Sequence, residues 1–273
     1  MKIFLSIAFV AWCCTISAAT NRKIAAFNIQ IFGQSKSGKP DVMSDLVQIL
    51  KRYDITLIQE IRDSAQTAID VLLDQLNAET GNAYSKVISG RLGRTSSKEQ
   101  YCFFYKHSLF SVIKDDTFTD TSDIFEREPY SVEFRHTSSG REFVLSGLHA
   151  KPDDAVAEID AMVEVYDDIK STFSNSDVIM MGDFNADCSY VSSSDWANID
   201  LRHDSRFYWP LGDSVDTTVK STHCAYDRFV TAGSMTSLSS SPSVYKFDTA
   251  MNLVTNDPAD VSDHYPIEIT VNL

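Results

Sequence analysis

Apolar positions along the chain follow two rhythms. Short runs with little polar interruption predict strands at Lys23 to Asn28, Ile55 to Gln59, Tyr101 to Lys106, Val132 to Arg135, Phe143 to Leu148, Val178 to Met181, Arg228 to Ala232 and Ile267 to Val271. Elsewhere the spacing lengthens to three or four. Val42, Leu46, Ile49, Leu50 and Tyr53 share one helical face, as do Ala68, Ile69, Leu72, Leu73 and Leu76, and then Val156, Ile159, Met162, Val163, Tyr166, Ile169 and Phe173. A run such as Val178-Ile179-Met180-Met181 is apolar on both faces of a strand and needs cover on both sides, which predicts sheets inside and helices outside. No linker or repeat divides residues 20-273, which read as a single domain, and the Ser-rich stretch Ser234 to Ser243 is expected to be one loop.

The first nineteen residues break the pattern. Met1-Lys2, the apolar stretch Ile3 to Cys14 and the small residues Ser17-Ala18-Ala19 read as a secretory signal peptide over 1-19, too short to span a bilayer as an anchor. A secreted, extracellular chain is therefore expected. Cys13 and Cys14 would leave with the signal. Of the other three cysteines, Cys188 and Cys224 lie in polar, loop-like sequence and are the expected disulfide, while Cys102 sits in the apolar run Tyr101 to Tyr105 and reads as a buried free thiol.

Polar residues terminate the predicted strands. Asn28 follows Ala25-Ala26-Phe27, Glu60 follows Leu57-Ile58-Gln59, His149 follows Gly147-Leu148, Asp183-Phe184-Asn185 follows Met181-Gly182, and Asp263-His264 precedes the last strand. Strand ends are where layered α/β proteins build sites. Glu60, Asp183 and Asp263 with Asn28 and Asn185 make an all-oxygen set suited to Mg, Mn or Ca, and the absence of His-Glu-x-x-His or paired Cys spacing argues against zinc. If the backbone stays extended, Asp183 and Asn185 face one side and Phe184 turns into the core.

Charge constrains this reading. With 24 Lys and Arg against 38 Asp and Glu, the formal charge is -14, which excludes gripping nucleic acid or anionic lipid by bulk electrostatics. It leaves open a polyanion held through bound cations or a local basic patch.

Longer runs carry a family resemblance. Lys23-Ile24-Ala25-Ala26-Phe27-Asn28-Ile29, Leu57-Ile58-Gln59-Glu60, Asp154-Ala155-Val156-Ala157-Glu158-Ile159, Met181 to Val191, Cys224-Ala225-Tyr226-Asp227-Arg228 and Ser262-Asp263-His264-Tyr265-Pro266 resemble the secreted deoxyribonuclease I family of the endonuclease/exonuclease/phosphatase superfamily. The resemblance implies a four-layer α/β/β/α sandwich of two central mixed β-sheets. It implies Mg2+- (or Mn2+-) and Ca2+-dependent endonucleolysis of double-stranded DNA that leaves 5'-phosphate ends. By the same resemblance, Glu99 with His149 and Asp227 with His264 are catalytic carboxylate-imidazole pairs. Glu60, Asp183, Asp263 and Asn28 belong to the metal shell, and Asn185 binds phosphate. Arg62 and Arg127 contact DNA, and structural calcium is expected at Asp216, Thr218 and Thr222 and at Asp123, Phe125 and Glu128.

The chain departs from that family in places. Gln30 stands where the family has an arginine, Ser97 where it has a stacking tyrosine, and the small disulfide of the loop near Thr119 to Ile124 is missing. Lys86-Val87-Ile88 lacks a tyrosine of the actin-binding surface, which counts against actin binding; a monomer is expected. Competing readings are a superfamily phosphodiesterase acting on a sphingomyelin-like or inositol substrate, and a catalytically silent actin-binding homologue.

Overall fold

A computed structural model describes residues 20–273; the expected signal peptide, with Cys13 and Cys14, lies outside the described residues. Twelve strands form two six-stranded sheets. The first contains β1 (Asn21–Phe32), β2 (Ile55–Ile61), β3 (Tyr84–Ile88), β4 (Gln100–Lys106), β11 (Ser239–Val244) and β12 (Ile267–Asn272), in the order β11, β12, β1, β2, β4, β3. The second contains β5 (Phe110–Thr117), β6 (Tyr130–His136), β7 (Glu142–Gly147), β8 (Val178–Asp183), β9 (Phe207–Tyr208) and β10 (Asp227–Ala232), in the order β5, β6, β7, β8, β10, β9. Each sheet is mixed around one parallel pair, β1 with β2 and β7 with β8.

The helical faces cover the outer surfaces. Helices α2 (Pro40–Leu50) and α3 (Ala68–Thr80) lie on the first sheet, with the short α1 (Gln34–Ser37), which buries no residue, beside β1, and α4 (Ala155–Phe173) lies on the second. Between the sheets a third apolar layer, including Leu57, Phe103, Phe134, Leu145, Ile179 and Phe229, is removed from solvent. Strand β2 is buried on both faces because α2 and α3 cover one side and this layer the other. The observed α/β architecture is the expected four-layer sandwich.

The Ser-rich stretch corrects the expectation of a loop: it forms a short helix, Met235–Leu238, and then edge strand β11, whose backbone pairs with β12. Its serines offer no apolar alternation, and backbone pairing supplies what the pattern lacks. Strands β3 and β5 also escape the pattern. Both lie at sheet edges, where one ladder of hydrogen bonds suffices and side chains stay half exposed.

Candidate active site

Chain direction gathers the polar strand ends at one edge of the sandwich. Parallel β1 and β2 run into Asn28 and Glu60, while β7 and β8 run into His149 and Asp183. The antiparallel neighbours begin there: Glu99 precedes β4, Asp227 opens β10 opposite Asp183, and His264 precedes β12. Strand β1 makes this turn through a bulge, with Gln30 and Ile31 at φ of 43° and 50° and the register shifting between Asn28 and Phe32. Glu60 and Asn185 are left-handed as well, at 59° and 49°. Four non-glycine residues in a sparsely populated conformation around one centre are held there by the surrounding bonds.

Two carboxylate-imidazole pairs face each other. His149 Nδ1 lies 2.7 Å from Glu99 Oε2, and His264 Nδ1 lies 2.8 Å from Asp227 Oδ2. Both rings turn their Nε2 atoms toward one oxygen, Asp183 Oδ2, at 3.6 and 3.5 Å. Asn28 Nδ2 donates to that oxygen and to Glu60 Oε1, both at 3.1 Å, while its own Oδ1 accepts from the Gln30 amide. Asn28 therefore bridges two carboxylates as a donor. Asp263 Oδ2 accepts from Gln30 Nε2 at 2.7 Å, and its Oδ1 is buried without a partner among the described residues.

The backbone after β8 does not stay extended. Asn185 turns left-handed, its amide donates to Asp183 Oδ1, and its Nδ2 donates to Ala150 O at 2.8 Å, while Phe184 is buried as expected. Arg62 and Arg127, expected at DNA, converge on Glu99. Arg62 Nη2 and Nε reach Glu99 Oε1 at 2.6 and 2.9 Å, and Arg127 Nη1 reaches the same oxygen at 3.2 Å. Arg127 is buried, with Nε donating to His149 O, whereas Arg62 keeps about 30% of its side chain exposed above a cleft of about 340 Å³ that also reaches His149 and Lys151.

Electrostatics separate the pairs. Burial raises the Glu99 carboxyl, but His149, Arg127 and Arg62 outweigh it and hold it down to about 2. Burial and Asp183 push Asp227 upward against His264. Burial lowers His264, yet Asp227, Asp183 and Asp263 prevail and push it up to about 10, so this pair retains a proton.

Several supporting residues gave no chemical signal in the sequence. Gln59 of β2 crosses to the second sheet, donating from Nε2 to Leu148 O at 2.7 Å and accepting from the Asp183 amide at 3.0 Å. Gly182, at φ +132°, leaves room for it: a Cβ there would stand 2.4 Å from Leu148 O. Tyr101 Oη accepts from the His149 amide, and Ser262 Oγ accepts from the His264 amide while donating to Asn28 O. A polar side chain inside an otherwise apolar strand run was the available signal for Gln59. The others look like ordinary strand and turn residues.

The expected calcium loops differ from each other. Asp216 Oδ1 accepts from the Thr218 amide and hydroxyl, Thr218 Oγ1 also bonds Thr222 O, and residues 217–219 pair back onto 263–265. Asp216 Oδ2 also meets His223 at 3.0 Å and Lys246 at 3.2 Å, as Asp123 meets Arg94, while in the second loop the Phe125 amide goes to Asp120 and Glu128 enters no ion pair among the described residues. Cys188 and Cys224 form a disulfide with Cα atoms 5.9 Å apart, and Cys102 is free and buried.

Residues 25–264 match the Endonuclease/Exonuclease/phosphatase family. The chain is 45% identical over 258 residues to Deoxyribonuclease-1 of Bos taurus, covering 91% of this chain and 92% of that one. Over 271 residues it is 44% identical to Deoxyribonuclease-1 of Homo sapiens, covering 96% of each. A solved endonuclease/exonuclease/phosphatase family protein from Bacteroides thetaiotaomicron shares the fold with a TM-score of 0.64 at 18% identity, covering 93% of this chain and 98% of that one. The chain belongs to the endonuclease/exonuclease/phosphatase family and, within it, to the deoxyribonuclease I group.

Proposed function

We propose that the chain is a secreted, divalent-metal-dependent endonuclease that hydrolyses phosphodiester bonds of double-stranded DNA with little sequence specificity and leaves 5'-phosphate ends. Its deoxyribonuclease relatives support DNA as the substrate. The observation that carries the mechanism is the pair of imidazoles whose Nε2 atoms flank Asp183 Oδ2 at 3.6 and 3.5 Å. Each imidazole is oriented through Nδ1 by its own carboxylate, leaving Nε2 to handle a proton. One takes a proton from the attacking water and the other gives one to the departing 3' oxygen.

The donor set fits a hard cation. Asn28 Nδ2 holds Glu60 Oε1 and Asp183 Oδ2 beside each other, and the buried Oδ1 of Asp263, unpartnered among the described residues, fits a missing positive partner; the tighter group of Asp183, Asp227 and His264, within 4.8 Å of one another, includes an imidazole and belongs to the second catalytic pair. Glu60, Asp183 and Asp263 would hold Mg2+ or Mn2+, which would offset charge developing on the phosphate. Asn28 orders Glu60 and Asp183, and Asn185 addresses a phosphate oxygen next to Ala150. Arg62, held on Glu99 but about 30% exposed above the cleft, meets the DNA; Arg127 acts from beneath through Glu99. Calcium is assigned to the loop of Asp216, Thr218 and Thr222, where three oxygen-bearing residues already converge behind His264.

Supercoiled plasmid incubated with the chain in Mg2+ and Ca2+ should become nicked circles, and EDTA should stop the reaction. An absence of nicking, nicking that survives EDTA, or faster turnover of sphingomyelin than of DNA would overturn this reading.

A further inference from the structure

Glu158, in the first turn of α4, is fully buried although the rest of that helix face is apolar. Its Oε1 accepts two backbone amides from two different segments, Glu126 N at 3.0 Å and Lys151 N at 3.3 Å. One segment continues into Arg127 and the other lies two residues beyond His149. Arg127 then closes a ring, donating from Nε to His149 O at 3.0 Å and from Nη1 to Glu99 Oε1 at 3.2 Å. Within this ring Glu158 Oε2 and Arg127 Nη2 are both buried without a partner among the described residues. A buried carboxyl is costly unless its bonds are satisfied, so packing alone gives no reason for an acid at this point.

We propose that Glu158 is a positioning residue for the Glu99–His149 pair: it tethers the segments bearing Arg127 and His149 to the start of α4 and so sets the ring against its carboxylate. This rests on the nuclease reading above. Burial pushes the Glu158 carboxyl up to about 7, while the amides of Glu126 and Lys151, Arg127 and His149 pull it back. Tyr101 on β4 and Arg94 also lie within its field. Near neutral pH a large share of it is uncharged, so its contribution is the accepting oxygen, and a glutamine can supply the same oxygen.

The test compares wild type, Glu158→Ala and Glu158→Gln by plasmid nicking in Mg2+ and Ca2+ and by NMR exchange of the Arg127 Nε–H. Glu158→Ala should lower kcat about tenfold with KM within about twofold, and should speed exchange of that proton about tenfold as its bond to His149 O loosens. Glu158→Gln should restore both. A folded Glu158→Ala with wild-type kcat, a change confined to KM, or Glu158→Gln failing to restore kcat would overturn the proposal. Should Glu158→Ala not fold, Glu158→Gln decides: wild-type kcat and exchange support the tether, and loss of either overturns it. The exchange measurement needs no turnover. An inactive wild type therefore removes the nuclease reading alone, while Arg127 exchange unaltered by Glu158→Ala removes the tether alone.

Discussion

The two carboxylate-imidazole pairs have almost the same bond length and opposite surroundings. Glu99 carries two guanidinium groups on the oxygen that does not face His149, whereas Asp227 is fully buried and, among the described residues, has an orphaned oxygen and no cation except His264. Excess positive charge thus anchors the first pair and excess negative charge surrounds the second. Equal geometry does not mean equal electrostatics. The first carboxylate is an ordinary anion in a cationic cradle; the second is ionised only as far as its imidazole keeps a proton.

Replacement of either histidine tests whether the pairs are equal partners in the reaction. His149→Ala and His264→Ala should each lower the plasmid nicking rate by ~10²- to 10⁴-fold, the usual yield of a positioned acid or base. Retention of activity by one of them would break the comparison. Stability should separate the pairs. Glu99→Gln strands Arg127 in the interior and should cost ~3–5 kcal/mol in urea denaturation, whereas Asp227→Asn removes an anion that already lacks a second partner and should cost less than about 1 kcal/mol. Equal costs would contradict the contrast.

Acid sharpens the same point. The folded Glu99 carboxyl, held at about 2, lies below its ordinary 4.5, so the stability it adds is fully present above pH 4.5 and is lost as pH falls toward 2. The loss should be roughly 3 kcal/mol, and Glu99→Gln should lack that part of the acid limb in pH-dependent melts. Reduction of the Cys188–Cys224 disulfide, which ties the segment after Asp183 to the segment before Asp227, should cost ~2–4 kcal/mol. Equal thermal midpoints with and without reductant would count against it.

Legibility in the sequence followed the same division between repetition and singular contacts. The buried strands and the three long helices are visible because burial imposes a period, and Asn28, Glu60, His149 and Asp183 stand out where that period stops. Glu99 does not: in Ser97-Lys98-Glu99-Gln100 it looks solvated, and only the antiparallel approach of β4 brings it to His149. Its identification came from family resemblance. Arg127 reads as a surface cation for the same reason, since nothing local announces that a loop residue will be enclosed by Glu99 and His149. Edge strand β11 was hidden because its order comes from the backbone of β12 rather than from its own side chains.

Each pair takes one member from either side of the apolar layer. Glu99 and His264 stand on the first sheet, His149 and Asp227 on the second, and Gln59 is stitched across the same seam to Leu148 and Asp183. A shear of the sheets by 1 Å would leave every strand hydrogen bond intact and pull both imidazoles off their carboxylates together. The catalytic centre is thus a vernier for the alignment of two slabs, reading a slip that secondary structure does not register.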